Sequence, residues 1–287
     1  MDRLFSLEGK VAIVTGSSYG LGVTFAEALA GAGADMVITG RSAERLQETR
    51  KMIEAKGRKC LIAPADVTDY QQVAGLMKAA YDAFGKIYIL VNNAGVSDPR
   101  GLRSENSEPE TFANIISTDL VGLWYCCHAA AQYMLRQGSG NIINISSIFG
   151  MGGFEGRTPG YFASKGGVNN LTSLLACEWG DRGIRVNAIA PHFFDSEMTH
   201  EILTASGMLA YLEARTPMRR IGQADDLIGP IVFLASDASK FVNGVVMPLD
   251  GGLSAGRGYA PGPFVSDAWD PDGRGQPLMP GTPLPPA

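Results

Sequence analysis

Val11-Ala12-Ile13-Val14-Thr15 runs directly into Gly16-Ser17-Ser18-Tyr19-Gly20-Leu21-Gly22 near the start of the chain. The first five residues are small, apolar or β-branched without alternation, which predicts a strand covered on both faces. The glycines allow a tight turn and let backbone approach an anion closely. A helix beginning near Val23 would add free N–H groups and the positive end of its dipole. Strand, glycine turn and helix in this order predict a phosphate-cradling turn at the first β-α junction of an α/β fold. The spacing Gly-x-x-x-Gly-x-Gly departs from the usual Gly-x-Gly-x-x-Gly, and a plain tight turn is the alternative.

Similar runs recur along the chain, over Met36–Thr39, Cys60–Ala63, Ile87–Asn92, Asn141–Ser146, Arg185–Ala190 and Val245–Leu249. Segments of helical spacing, such as Ala43–Lys56 and Asp69–Phe84, lie between them. Repeated β-α units with doubly covered strands predict a doubly wound parallel sheet. After Gly252 the composition changes: residues 253–287 hold eight of the sixteen prolines and six glycines. Such a segment is either a flexible tail or an extended arm, and Phe264 and Trp269 keep the second reading open.

The 287 residues are 45% apolar and 18% charged, with a net charge of −5. That is enough for one large core, and the acidic balance argues against nucleic acid or an anionic membrane as partner. Cys60, Cys126, Cys127 and Cys177 form no CxxC pair and no zinc spacing, so reduced thiols and no metal site are expected. Residues 1–10 lack a secretory h-region, and no apolar run reaches the ~18 residues of a membrane span. A cytoplasmic protein is expected.

Several further residues punctuate the strand ends. Asp66-Val67 follows the third strand and Asn92-Asn93-Ala94-Gly95 the fourth, while Ser146 and Ser147 close the fifth. Tyr161 and Lys165 stand four apart on a predicted helix and so share a face. A phenol ordinarily ionises near pH ~10, and a neighbouring ammonium favours the phenolate. After the second strand comes Arg41, with no carboxylate nearby. An acidic residue there would meet a ribose hydroxyl, whereas arginine suits a 2′-phosphate; capping of the next helix is the competing role.

From about Leu7 to Gly252 this ordered set, with Tyr161-Phe162-Ala163-Ser164-Lys165 and Asp250-Gly251-Gly252, resembles the classical short-chain dehydrogenase/reductase family. The resemblance implies a Rossmann-type single domain over residues 1–252, with a small helical substrate lid over 195–216. It implies hydride exchange between a nicotinamide cofactor and a carbonyl or secondary alcohol substrate, without metal. Tyr161 would be the general acid/base, Ser147 (or its competitor Ser146) would stabilise the reacting oxygen, and Lys165 would support Tyr161 and bind the nicotinamide ribose. Gly16, Ser18, Tyr19, Gly20, Leu21, Gly22, Asp66, Val67, Asn93, Ala94, Gly95, Pro191 and Ser196 would complete the cofactor site. With Arg41 they favour NADP, with NAD as second choice. Asn92 is open between site and structure. Helices matching Leu120–Leu135 and Val168–Trp179 would pair subunits in a homotetramer or dimer.

The pattern breaks twice. Asp119 stands where the family has an asparagine that holds a water in a proton relay to the lysine. Aspartate can accept that bond but not donate as an amide does, so Asp119 either works in a relay with altered pH dependence or merely caps or kinks its helix. His192 replaces the glycine of Pro-Gly, and either reshapes the substrate mouth or points to solvent. These breaks leave a catalytically weak NADP-binding sensor or structural subunit as the alternative, ahead of an epimerase or dehydratase. The core resembles both 3-oxoacyl-carrier-protein reductases and sugar or polyol dehydrogenases, which leaves the substrate open.

Overall fold

The structure, a computed structural model, describes residues 2–98, 100–153, 158–195, 199, 203–204 and 207–255. Seven strands form one sheet: β1 Val11–Thr15, β2 Asp35–Thr39, β3 Cys60–Ile62, β4 Ile89–Asn92, β5 Gly140–Ile145, β6 Ile184–Pro191 and β7 Val246–Leu249. They lie in the order β3-β2-β1-β4-β5-β6-β7, and every pairing is parallel. The chain therefore winds outward from β1 to β3, then returns to β4 on the other side of β1. That reversal opens a crevice at the carboxyl ends of β1 and β4, where ligands of such sheets bind.

The helices are α1 Asp2–Phe5, α2 Leu21–Gly31, α3 Leu46–Ala55, α4 Tyr70–Phe84, α5 Pro109–Ile116, α6 Leu123–Gln137, α7 Pro159–Trp179, α8 Met208–Arg215 and α9 Ile228–Ala235. One face of the sheet is covered by α4, α6 and α7, through residues such as Met77, Cys127 and Leu175. The other is covered by α2, α3 and α9, through Phe25, Ile53 and Leu234. Both faces are thus sealed, which is why the strands read as unbroken apolar runs.

Element types agree with the sequence reading, and the ends shift by a few residues. The helix predicted near Val23 begins at Leu21, directly on the glycine turn, and the one predicted from Ala43 begins at Leu46 because 40–45 form the loop beyond β2. Asp119 does not sit on a plain α-helix: Ser117–Gly122 is a π-helical turn between α5 and α6. Of the expected lid, Phe193, Leu203, Leu212 and Ile221 form a small cluster of their own, with Phe149 and Met208 packed on it. Residues 196–198, 200–202 and 205–206 of the lid, and the tail from 256, lie outside the described residues.

Phe25 is fully buried in the layer that holds α2 against the sheet. Phe25→Ala is expected to lower the unfolding free energy by about 3–5 kcal/mol, read from the midpoint of a denaturant titration at unchanged slope.

Candidate active site

The cleft, about 680 Å³ in volume, runs along the carboxyl edge of the sheet. Its floor at the switch point is tied by hydrogen bonds between the ends of β1 and β4. Thr15 Oγ1 accepts from the backbone N–H groups of Asn93 and Ala94, both at 3.0 Å. Asn93 Nδ2 donates back to the carbonyls of Thr15 and Gly16, again at 3.0 Å. Gly16 has φ +64°, and a Cβ there would fall 2.8 Å from Ala94 Cα. A Cβ on Gly22 would lie 2.1 Å from the Gly16 carbonyl oxygen. Gly22 is absent from the cleft wall. Its lack of a side chain lets α2 close on the turn.

Gly16, Ser18, Tyr19, Gly20, Leu21, Arg41, Asp66, Val67, Asn93, Ala94, Gly95 and Pro191 all line the cleft, as do Ser147, Tyr161, Lys165 and Asp119. Ser196 lies outside the described residues. Asp66 accepts from the backbone N–H and hydroxyl of Thr68, at 2.9 and 2.7 Å. Those bonds hold its carboxyl below the ordinary range. Asn92 is not on the wall: its Nδ2 donates to Asn144 Oδ1 at 2.9 Å beneath the sheet edge, a structural role. Arg45, which the sequence reading missed, joins Arg41 at this end of the cleft. Neither guanidinium has a hydrogen-bond or ion-pair partner among the described residues. Its signal was the spacing of four from Arg41, too common to single out. The glycine turn, the unpartnered guanidinium pair and the Asp66 carboxylate fit a phosphorylated dinucleotide.

At the other end, α7 presents Tyr161 and Lys165 together, with Lys165 Nζ 5.4 Å from the phenol ring centre. Lys165 is 4% exposed. Its ammonium donates to the Ile145 carbonyl at 3.1 Å and lies 3.2 Å from Asp119 Oδ2. That contact is at ion-pair distance without hydrogen-bond alignment, so Oδ2 has no aligned donor. Asp119 Oδ1 accepts from the Val96 N–H at 2.7 Å. Burial pushes the Asp119 carboxyl up from its ordinary range, against the pull of Lys165 and Val96. For Lys165, burial opposes the charge, but Asp119 and Tyr161 outweigh it and the ammonium is held more firmly than usual. Tyr161 keeps one side open to the cleft while protein encloses the rest of its ring. This enclosure pushes the phenol up, Lys165 pulls it down, and Asp119 pushes it up again. Lysine thus acts in the direction the sequence predicts, yet burial wins.

The two serines, both on the cleft wall, differ in their partners. Ser146 Oγ donates to Asn169 Oδ1 and approaches the Lys165 carbonyl at 3.3 Å, tying β5 to α7. Ser147 Oγ donates to the Pro191 carbonyl at 3.4 Å and accepts from the Phe149 N–H at 3.2 Å, so it also caps the next turn. The neighbouring Ser147 hydroxyl favours the Tyr161 phenolate. His192 faces the cleft, its ring edge-on to Phe193 at 5.1 Å.

A phosphate-cradling turn at a switch point, with Ser, Tyr and Lys converging on one pocket, defines a dinucleotide-dependent oxidoreductase. A family model described as enoyl-(acyl carrier protein) reductase matches residues 16–254. Gluconate 5-dehydrogenase of Gluconobacter oxydans (strain 621H) is 40% identical over 251 residues, 88% of this chain and 97% of the relative. A 2-dehydro-3-deoxy-D-gluconate 5-dehydrogenase of Escherichia coli (strain K12) is 40% identical over 257 residues, 88% and 98% of the two chains. The crystal structure of a gluconate 5-dehydrogenase from Burkholderia cenocepacia J2315 in complex with NADP and tartrate superposes with a TM-score of 0.84 at 35% identity, covering 88% of this chain and 98% of that one. The chain belongs to the short-chain dehydrogenase/reductase family. It is an NAD(P)-dependent oxidoreductase acting on CH–OH groups or the corresponding carbonyls. No helix among the described residues is long and apolar enough to cross a membrane.

Removing the Asp119 charge takes away one upward push on Tyr161 and leaves Lys165 acting downward. In Asp119→Asn the rise of alcohol oxidation with pH, which follows formation of the phenolate, is expected to move to lower pH. A pH–rate profile superimposable on the parent's would show that Tyr161 does not feel the Asp119 carboxylate.

Proposed function

We propose that this chain exchanges hydride between NADP(H) and a carbonyl or secondary alcohol with Tyr161 as general acid/base. The convergence of Tyr161, Ser147 and the Asp119–Lys165 pair in one cleft carries this reading. When bound, the reduced nicotinamide supplies hydride to the carbonyl carbon. Tyr161 donates its phenolic proton to the carbonyl oxygen as negative charge grows there. Ser147 donates a second hydrogen bond to the same oxygen. Lys165 lowers the energy of the phenolate left on Tyr161, and Asp119 with the Ile145 carbonyl fixes where that ammonium sits. Oxidation reverses these steps from the phenolate.

The preference for NADP over NAD rests on Arg41, reinforced by Arg45, as a receptor for a 2′-phosphate. Asp66 would meet the adenine and Ser196 the carboxamide. Residues 1–252 make up the catalytic domain with the 195–216 lid, and 253–287 the tail. Trp124 on α6 and Leu174 on α7 are exposed apolar groups that support a homo-oligomer through these helices. Four free thiols suit the reducing cytoplasm, and the negative net charge suits no nucleic-acid partner. The sensor reading has no support beyond Asp119 and His192.

Tyr161→Phe is expected to reduce turnover by about 10²–10⁴-fold while leaving the Kd for NADPH within a few-fold. Undiminished turnover would remove Tyr161 from the chemistry. Arg41→Ala is expected to weaken NADPH binding by about 10- to 100-fold, the loss of a charged hydrogen-bonding partner, with NADH binding unchanged in the same titration.

A further inference from the structure

The cleft beyond Tyr161 is walled by aromatic rings. Phe149 stacks on Phe162 with ring centres 5.0 Å apart and planes at 26°. It meets Phe193 edge-on at 6.0 Å and 79°, and Tyr161 at 6.4 Å and 73°. The wall therefore begins at the phenol itself. All of these rings line the cleft. Phe193 is rooted in the lid cluster with Leu203, Leu212 and Ile221, and Phe149 packs against that cluster. Rings held in this way form an angled apolar wall, since Phe193 and Tyr161 stand nearly perpendicular to Phe149.

The charges of the cleft are arranged the other way round. Among the described residues, the arginines and lysines on its wall are Arg41 and Arg45 at the dinucleotide end, and Lys165, which faces Asp119. On the substrate side stands Asp98, whose carboxylate accepts from Arg100 Nε at 2.9 Å and from its terminal nitrogen at 2.8 Å. Arg100 also pairs with Glu108 at 3.2 Å, so one guanidinium is shared by two carboxylates. A substrate carboxylate entering here would meet aromatic rings and, among the described residues, no arginine or lysine except Lys165, which already faces Asp119. An uncharged, apolar group would meet complementary surface.

We propose that the substrate is an uncharged ketone or secondary alcohol carried on an apolar ring, alicyclic or aryl. The ring would sit against the wall of Phe149, Phe162 and Phe193 with the reacting oxygen at Tyr161 and Ser147. Anionic sugar acids, the substrates in the names of the similar dehydrogenases, are discriminated against. The proposal rests on the hydride-transfer reading above.

The test uses the full chain with NADPH at pH 7, comparing kcat/KM for 4-methylcyclohexanone and 1-tetralone with that for 5-keto-D-gluconate. At least one of the cyclic ketones is expected to be preferred by about 100-fold or more. Preference for 5-keto-D-gluconate would overturn the substrate class and leave hydride transfer standing. NADPH binding with no turnover of any of the three would overturn both readings. Phe149→Ser is expected to raise KM for the favoured ketone about tenfold, a loss of apolar contact area, with the Kd for NADPH unchanged and Phe149→Leu recovering most of the loss. An unchanged KM in Phe149→Ser would remove the wall from recognition.

Discussion

An ammonium withdrawn from water needs a counter-charge, and Lys165 finds it in Asp119, 3.2 Å away and itself fully buried. This contact gathers separate parts of the fold. Lys165 comes from α7, its second acceptor is the carbonyl of Ile145 at the end of β5, and Asp119 comes from the π-helical turn between α5 and α6. The N–H of Val96, on the loop after β4, completes the set. Breaking such a pair by deleting one charge typically costs about 3–5 kcal/mol. The registration of those elements and the electrostatics of the phenol therefore depend on the same few atoms.

A neutral amide at position 119 could hold the same loop, since it too offers an oxygen to Val96 N–H. It could not hold the ammonium as firmly. The carboxylate makes Lys165 a stronger proton holder but opposes the effect that lysine has on Tyr161. The two consequences arise from a single charge and cannot be separated by geometry. A π-helical turn at this point is in keeping with where such turns occur, since the wider turn re-aims side chains at functional sites. Here Asp119, on that turn, is fully buried and faces Lys165.

The sheet was legible in the sequence because doubly covered strands leave nothing to alternate, so Val11–Thr15 announces both its conformation and its burial. The glycine turn was legible because its spacing between a strand and a helix has a steric reason. The dinucleotide and catalytic residues followed from a resemblance whose motifs are ordered along most of the chain. What escaped were properties of three-dimensional neighbours. Arg45 acquires meaning only when the loop beyond β2 folds it beside Arg41. Phe149, Phe162 and Phe193 each lie within two residues of a predicted site residue, but their mutual packing is set by β5, α7 and β6 together. The direction of the Tyr161 shift was misjudged because the sequence displays the lysine four residues away and hides both the enclosure of the ring and the opposing carboxylate.

The cleft thus joins two surfaces of opposite character around one reacting centre. At the dinucleotide end, backbone turns and unpartnered guanidinium groups suit phosphates; at the far end, packed rings suit an uncharged, apolar molecule. The first surface is built from the sheet edge and its glycine turn, which the whole family needs in order to bind its cofactor. The second is built from side chains on α7 and on the segments that follow β5 and β6. Likeness over nearly the full length therefore identifies the chemistry, while the choice of substrate turns on the groups around the reacting centre.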